Sequence, residues 1–584
     1  MRLVNLLYRR VVSTKNVNNG VVADIFSELA DLLERKGEQP FKVVAYRRAA
    51  NNIRRLDTPV EELVGTAQLL EVPGIGEAIA EKIREIVETG KLSLLEGLRS
   101  ELDPGLKELV TIPRIGPKTA LLLYNKYGIR NRRQFEQALA DGTLVSKGFS
   151  AVLAKSIQTA LSQIGESSKR MLLIEATDAA YTLLDSLQQA NGYDFRVCGS
   201  LRRAKDTVGD VDIVALPTVP ERKLQPLALE LEKMNGSFLA KGESKISWLT
   251  PHGVHVDIRL ANKENIGAMA LYFTGSKEHN VKLRTLAMKK GLKLNEYGLF
   301  RDSDGDLVAG ASEEEIYRTL GLQYIEPELR EDTGEIEQAE SGKLPTLVDD
   351  GSIQGDLHAH STWSEGSSTL EEMATAAEKL GYKYLVFTDH SKSESVAHGM
   401  TEAVLRRQAT AIEKVRSKHP KLEILHGSEV DILRGGKLDY DDATLATLDF
   451  VVASLHRKFS SDTNLLTEAV VNALENRYLK VLAHPTGRLL GRRGENGIDL
   501  DKVLVAARRN GKAVEVNGQP RRMDLPWMWV KRAVEEGVKL ALDSDAHTTG
   551  ELLNMQFAVK NARKGWAGAK DVMNSVPNVA KLLR

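Results

Sequence analysis

The sequence predicts a multidomain chain of α+β and α/β units: small helical domains first, a mixed α+β unit next, and a seven-stranded parallel βα barrel last. Three observations predict it. The chain has 584 residues, which at roughly 100 to 200 residues per domain gives about three to five packed cores. Apolar residues recur at helical spacing in the N-terminal part and give way to short alternating runs beyond Met171. Between Glu326 and Ser352 nine acids stand against two bases, with Gly334, Gly342 and Gly351 among them, which reads as a solvated linker between two halves.

Composition removes whole classes of protein. A single cysteine, Cys198, rules out intrachain disulfides, and no apolar run approaches the roughly 18 residues of a membrane helix. A reducing, cytoplasmic setting without a membrane is expected. Lys and Arg total 80 against 80 Asp and Glu, so bulk charge gives no hint of nucleic acid and any such function must rest on local patches. The first 23 residues carry Arg2, Arg9, Arg10 and Lys15 but no acid. Asn16, Asn18 and Asn19 break the amphipathic pattern of an organellar presequence, so residues 1–19 read as a disordered extension.

Each later segment has its own signal. In residues 20–105, Ile25, Leu29, Leu32 and Leu33 follow amphipathic helical spacing, with glycine and proline only at turns. Residues 106–170 are helical again, and from 101 to 170 there are 11 bases against 6 acids, a weak preference for a polyanion. Residues 171–262 alternate a helix with strands at Phe195 to Val197, Val211 to Leu216 and Val254 to Leu260. Residues 263–330 close the first half and 331–351 make the acidic linker. In residues 352–584 seven apolar strands alternate with helical stretches: Gly355 to Ser361, Lys383 to Ser391, Leu422 to Ile432, Asp449 to His456, Lys480 to Pro485, Ala513 to Gly518 and Lys539 to His547. Such βα alternation favours a closed parallel barrel over an open sheet.

Two hairpins have the chemistry to hold a phosphate backbone. Val72-Pro73-Gly74-Ile75-Gly76 opens a helix, and its two glycines let backbone N–H groups approach a phosphate without Cβ obstruction. Alone it reads better as a plain Gly-rich turn. It recurs as Ile112-Pro113-Arg114-Ile115-Gly116-Pro117-Lys118, again opening a helix. The pair resembles helix-hairpin-helix motifs, which grip DNA backbone, often through K⁺ or Na⁺. Arg114 replaces a glycine in the second copy and offers a side chain to phosphate instead.

The sharpest pattern lies between Gly199 and Val214. In a strand, residues i and i+2 share a face, so Asp210 and Asp212 present two carboxylates to one point while Val211, Ile213 and Val214 pack the sheet. A dication relieves the repulsion, and Mg²⁺ prefers such oxygens together with substrate phosphates. Gly199 and Ser200 supply a cradle for phosphate oxygens, and Arg203 supplies charge. Val254-His255-Val256-Asp257-Ile258 alternates as a strand and offers Asp257 as the third carboxylate.

Gly-Ser-x-Arg-Arg from Gly199, Gly-Asp-Val-Asp from Gly209 and the later Val-Asp-Ile resemble the family X DNA polymerases, the family of DNA polymerase beta, within the nucleotidyltransferase superfamily. The resemblance implies a palm over 171–262 and a nucleotide-clamping thumb subdomain over 263–330. It implies that Asp210 and Asp212 bridge two Mg²⁺ or Mn²⁺ ions, and that Asp257 serves the ion activating a primer 3′-hydroxyl. Tyr272-Phe273-Thr274-Gly275-Ser276 is similar to the segment that lies against the nucleotide sugar, with Asn280 at the base edge and Arg284 at the template strand. The likeness extends over the N-terminal domains, the second of them fingers-like. There Lys42 and Tyr46 match positions that bind a 5′-phosphate, and Lys82 matches a Schiff-base lysine. Ala78 and Leu94 replace two basic positions of that pocket, and a solvated helix lysine remains the other reading of Lys82.

The last half carries a second metal signature. Asp356-Leu357-His358-Ala359-His360 sets two imidazoles on one strand face, and His390, His456, His484 and His547 close predicted strands beside Glu429 and Asp545. Functional groups of βα barrels gather at those strand ends, and imidazole with carboxylate suits Zn²⁺, Mn²⁺ or Fe²⁺. His398, His419 and His426 fall off the pattern and read as surface or packing residues. The set resembles the polymerase and histidinol phosphatase (PHP) family, whose barrel binds up to three metals. Nine ligand positions map to His358, His360, Glu365, His390, Glu429, His456, His484, Asp545 and His547, with Glu365 standing where aspartate is usual. Arg488, Arg492 and Arg493 read either as phosphate contacts or as a solvated loop. Together the resemblances imply a monomeric, gap-filling DNA polymerase of base-excision repair acting on gapped or nicked DNA and deoxynucleoside triphosphates. They imply a 3′-5′ exonuclease or phosphoesterase behind it, with an inactive, structural barrel as the alternative.

Overall fold

The computed structural model describes residues 170–582 apart from 188–191, 220–221, 252 and 457–458. In the N-terminal part it describes 40–54, 60–64, 66, 68–72, 74–89, 92–95, 117–147, 149–150 and single positions at 22, 25, 26, 29, 30, 33, 109 and 154. The expected extension 1–19 and the hairpin residues Arg114 and Gly116 lie outside the described residues. The chain forms two compact units, residues 1–166 and 167–584. Among the described residues no helix is long and apolar enough to cross a membrane.

Among its described residues the first unit is helical and has two cores. In one, α1 (Pro40–Arg54) and α2 (Glu77–Thr89) bury Ile53, Ile83 and Ile86 with Phe26 and Leu29. The Phe26 and Tyr46 rings stack at 5.8 Å. In the other, α3 (Pro117–Lys126) and α4 (Arg132–Ala140) enclose Leu123 and Phe135. Asn131 caps α4 by accepting the Gln134 N–H at 2.9 Å, which supplies a partner for one of the free N–H groups of the first turn.

The second unit begins with α5 (Leu173–Leu187) packed on a five-stranded sheet: β1 (Tyr193–Val197), β2 (Val211–Pro217), β3 (Ser237–Lys241), β4 (Lys245–Leu249) and β5 (His255–Leu260). The strand order is β1-β2-β5-β4-β3. Only the β2–β5 pair among these strands is parallel. The sequence reading found β1, β2 and β5. It missed β3 and β4, and β3 is an edge strand exposed at nearly every position, so it carries no alternation to read. Beyond the sheet come α6 (Ile266–Thr274), α7 (Lys277–Lys289), the antiparallel β6 (Leu292–Asn295), β7 (Gly298–Arg301) and β8 (Leu307–Ala309), and α8 (Glu313–Thr319).

The acidic stretch Glu326 to Ser352 is built into this body and is not a solvated linker. Arg330 and Glu335 are fully buried. Arg330 Nη1 donates to Glu313 Oε1 at 2.6 Å, and Glu335 Oε1 meets His279 Nδ1 at 2.7 Å. Val348, also buried, joins the barrel core. The acids find partners from both sides of the segment, which a local count of charge does not register.

All seven expected barrel strands form: β9 (Gly355–Ala359), β10 (Tyr384–Phe387), β11 (Glu423–Asp431), β12 (Phe450–Ser454), β13 (Leu479–Leu482), β14 (Ala513–Asn517) and β15 (Leu540–Asp543). They pair parallel in chain order. Past the last strand the His360 N–H donates to Ala546 O at 2.8 Å, drawing the ends together. The final long helix, α9 (Met555–Lys564), faces two ways. Ala558, Val559 and Ala562 enter the barrel core, whereas Phe557 enters the core of the five-stranded sheet together with Met523. Arg488 belongs to the same joint. It pairs with Asp206 at 3.1 Å and donates from Nε to Arg522 O at 2.9 Å, so neither a phosphate contact nor a solvated loop describes it.

Candidate active sites of the sheet and the barrel

Parallel pairing sets Asp212 of β2 opposite Asp257 of β5. Gly199, at φ +65°, lies against the Asp212 carboxylate where a Cβ would collide with Oδ2, so this position needs glycine for space as well as for backbone conformation. Burial, with Asp210 and Asp257 beside it, pushes the Asp212 carboxyl up to about 7 against the pull of Arg259 and Arg203. Burial also raises Asp257, but the Ser247 hydroxyl and Lys245 outweigh it and hold that carboxyl below its ordinary value. Lys245 Nζ sits 3.0 Å from Asp257 Oδ2.

A cleft of about 660 Å³ opens over these carboxylates. It gathers Gly199, Ser200, Arg203, Asp210, Asp212, Tyr272, Phe273, Gly275, Asn280 and Arg284. Gly209 adjoins it beside Arg170, and Asp257, the register partner of Asp212, is outside the lining. The sequence reading missed three cations of the wall, Arg170, Lys205 and Lys277, because isolated basic residues carry no spacing signal. The Tyr272 and Phe273 rings meet edge to face at 5.1 Å, and the Arg259 guanidinium covers Phe273 at 4.6 Å. Asn280 Nδ2 donates to Tyr272 O at 2.8 Å, and Arg284 Nε donates to Asn280 O at 3.3 Å.

In the N-terminal unit Lys42, Tyr46, Gly74 and Gly76 line one cleft of about 700 Å³ together with Ala78. Gly74 has φ +82° and a Cβ there would press on Arg48. Lys82 is not part of that lining, and its Nζ donates to Ala78 O at 3.0 Å. Lys118 lies on α3.

The barrel mouth brings all nine expected ligands together. Among the described residues, the groups of three donor atoms lying within 4.8 Å of one another all belong to it: His360, His390 and His547; His358, His360 and Asp545; His390, Glu429 and His456; and Glu394, Asp431 and His456. Glu429 stands at the centre, with Oε1 2.8 Å from His484 Nε2 and 3.1 Å from His456 Nε2. Its Oε2 is 3.3 Å from His358 Nε2 and 3.1 Å from His390 Nδ1. Glu365 Oε1 bridges His390 at 3.1 Å and His547 at 2.9 Å. Burial pushes the Glu429 carboxyl up, yet the surrounding imidazoles outweigh it and hold it well below its usual range. The Nδ1 atom of His360 is buried without a hydrogen-bond partner, and such an orphaned imidazole nitrogen beside carboxylates fits divalent transition metals.

Sequence reasoning missed the residues that orient these ligands. Glu515 is buried and accepts from His358 Nδ1 at 2.6 Å and from the His484 N–H at 2.6 Å, fixing ring and tautomer as carboxylates behind ligand histidines do. Asp431 meets His456 Nδ1 at 2.8 Å, and Arg522 Nε lies 3.2 Å from Asp545 Oδ2. Glu515 and Asn517 alternate inward on β14, the signal that could have revealed them. His419 and His426 lie outside the cluster, the first meeting Glu378 at 2.9 Å and the second Gln408 at 3.2 Å.

Comparison with known proteins matches four segments. A DNA polymerase beta thumb matches residues 269–331, and a PHP domain matches residues 356–518. A helix-hairpin-helix domain matches residues 17–92, and a SAM-like helix-hairpin-helix tandem matches residues 106–163. The DNA polymerase/3′-5′ exonuclease PolX of Bacillus subtilis (strain 168) is 36% identical over 555 residues, which is 94% of this chain and 96% of that one. DNA polymerase lambda of Rattus norvegicus is 27% identical over 320 residues, 50% of this chain and 52% of its own. A probable phosphatase of Thermoanaerobacter sp. (strain X514) is 34% identical over 218 residues, 35% of this chain and 83% of its own. The chain belongs to the family X DNA polymerases that carry a C-terminal PHP domain.

Proposed function

We propose that the chain is a DNA-directed DNA polymerase that fills short gaps in base-excision repair, with a 3′-5′ exonuclease in its barrel. The observation that carries the polymerase reading is the Asp212–Asp257 register pair set beneath a cleft shared by Gly199, Ser200 and Arg203. The substrates are gapped or nicked DNA and deoxynucleoside triphosphates, and the chain acts as a monomer in the cytoplasm. Asp210, Asp212 and Asp257 would hold Mg²⁺ or Mn²⁺, which when bound neutralises triphosphate charge and makes a primer 3′-hydroxyl easier to deprotonate. The chain's own groups do the rest. Gly199 and Ser200 cradle phosphate oxygens, Arg203 neutralises their charge, Tyr272 and Phe273 take the sugar, Asn280 takes the base edge and Arg284 the template.

In the barrel the nine ligands would hold up to three Zn²⁺, Mn²⁺ or Fe²⁺ ions. The name of the Bacillus subtilis relative supports an exonuclease there. The hairpins of the N-terminal unit, with Gly74, Gly76, Arg114, Gly116 and Lys118, would grip DNA backbone, with K⁺ or Na⁺ as a partner. A lyase step at Lys82 forms no part of this reading, since Lys82 is not among the residues lining the Lys42–Tyr46 cleft and its amine is engaged by the Ala78 carbonyl. A second reading, a barrel that serves only as scaffold, is favoured by the insertion of Phe557 into the sheet core.

The test is gapped, 5′-phosphorylated, labelled-primer DNA incubated with Mn²⁺, with and without deoxynucleoside triphosphates. Wild type is compared with Asp210→Ala/Asp212→Ala and His358→Ala/His360→Ala. Loss of extension in the aspartate variant alone and of shortening in the histidine variant alone supports the two-enzyme reading. Shortening that survives without the histidines reduces the barrel to scaffold.

A further inference from the structure

We infer that Lys564, a residue of the barrel helix α9, is a positioning residue for nucleotide binding in the sheet cleft, acting on Arg203 through Glu331. The inference rests on the polymerase reading above. Arg203 lines the cleft beside Gly199, Ser200 and the aspartates, yet its side chain is anchored from behind. Nη1 donates to Thr274 O, and Nε donates to Glu331 Oε1 at 3.0 Å. Glu331 in turn is held by Lys205 Nζ at 3.1 Å and by Lys564 Nζ at 2.6 Å. Lys564 has a fully buried side chain. Its ammonium reaches Arg203 O at 2.9 Å and Glu328 O at 3.4 Å besides Glu331, which occupies all three of its donors. Arg203 is therefore gripped twice from the barrel, through its backbone directly and through its guanidinium by way of Glu331.

The charge arithmetic gives the grip a purpose. Arg203, Lys205 and Lys564 set three cations against the single carboxylate of Glu331, so the cluster keeps a surplus of positive charge at the cleft wall. Without Lys564, Glu331 takes a larger share of the charge of Arg203, and less of it faces an incoming polyphosphate. The Arg203 carbonyl also loses the donor that ties its backbone to the barrel, so the turn carrying Arg203 gains freedom that must be lost again on binding. Both effects weaken ground-state binding of the triphosphate, which raises KM more than it lowers kcat.

The test uses the full chain, gapped DNA, Mg²⁺ and a deoxynucleoside triphosphate. Lys564→Met keeps the length of the stem and removes the charge, and Glu331 retains Arg203 and Lys205, so folding is checked by thermal melting. The expected result is a rise in KM for the nucleotide of about tenfold with kcat within about twofold and DNA affinity unchanged. Lys564→Arg should recover most of the loss. Glu331→Gln is the second variant, and its effect combined with Lys564→Met should fall short of the product of the two single effects, because the two act through one contact. A folded Lys564→Met with unchanged nucleotide KM overturns the inference, as does a parallel fall in kcat, DNA affinity and melting temperature that arginine does not rescue. If Lys564→Met does not fold, an unchanged nucleotide KM in Glu331→Gln overturns it instead. A wild-type chain that adds no nucleotide overturns the polymerase reading and this inference together, whereas an active wild type with an indifferent Lys564 removes the inference alone.

Discussion

Asp212 and Asp257 are register partners across the parallel pair of an otherwise antiparallel sheet. Cross-strand partners share a face, so the pairing sets two carboxylates side by side, and burial with Asp210 and Asp257 pushes Asp212 up to about 7. The folded group keeps its proton to higher pH than the unfolded one. Its contribution to stability is therefore present in acid and lost as pH rises from its ordinary 3.8 through about 7. A dication replaces that proton. Binding of Mg²⁺ at pH 6.5 should release a proton and at pH 8.5 almost none, and affinity should weaken below pH 7. Calorimetric titration in two buffers of different ionisation enthalpy measures the release directly, and Asp212→Asn should abolish it.

Glu313 and Arg330 form a buried charge pair within the thumb segment. Burial raises the Glu313 carboxyl, but Arg330 at 2.6 Å and Arg202 at 2.5 Å outweigh it and hold it at about 2. A depressed carboxyl stabilises above its ordinary 4.5 and loses that contribution as pH falls toward 2. The shift corresponds to about 3 kcal/mol. His279 acts in the same direction, since burial lowers its pKa and the unfolded chain takes up the proton first. Urea unfolding at pH 7 and pH 3.5 should show somewhat under half of this loss, about 1 kcal/mol from Glu313. Glu313→Gln, which leaves Arg330 buried without a full counter-charge, should cost about 3 to 5 kcal/mol at pH 7 and flatten the acid limb.

Much of this architecture was legible because its signals are local. The barrel strands are short, apolar and bounded by turns, and His358 with His360 states its own geometry through the two-residue period of a strand. The same period exposed Asp210 with Asp212. What escaped depends on distant partners. Arg330 and Glu335 sit in an acidic run that reads as solvated until Glu313 and His279 are set against them. The edge strand Ser237–Lys241 is too exposed to alternate. Glu515, Lys205 and Lys564 are single charged residues whose roles exist only in the assembled fold.

Glu365 and its two histidines test how the barrel tolerates a longer arm at a position where aspartate was expected. The carboxylate reaches both His390 and His547 through Oε1. Burial raises its pKa, and hydrogen bonds from the two imidazoles outweigh that and hold it far below the usual range, while His547 rises to about 9. The group is ready as an anionic ligand. Glu365→Gln should lower bound transition metal by about one ion per chain, measured by inductively coupled plasma mass spectrometry. It should also slow primer shortening by about tenfold or more, as removal of a metal ligand does, while primer extension stays within about twofold. Unchanged metal content would show that Glu365 stands outside the ligand set.

Phe557 makes the strongest claim about how the halves are joined. It leaves a barrel helix to fill the core of the five-stranded sheet and is about 1% exposed. Truncating a buried phenylalanine costs about 3 to 5 kcal/mol through lost transfer energy and the cavity left behind. Because Ala558, Val559 and Ala562 of the same helix lie in the barrel core, the cavity loosens the seat of both bodies and not the sheet alone. Phe557→Ala should therefore lower the temperature at which primer extension is lost and the temperature at which primer shortening is lost by similar amounts. Phe557→Leu, which refills most of the volume, should restore both. Barrel and sheet that behaved as independent domains would instead show extension lost early and shortening unchanged, and scanning calorimetry would then resolve two transitions where a shared core gives one.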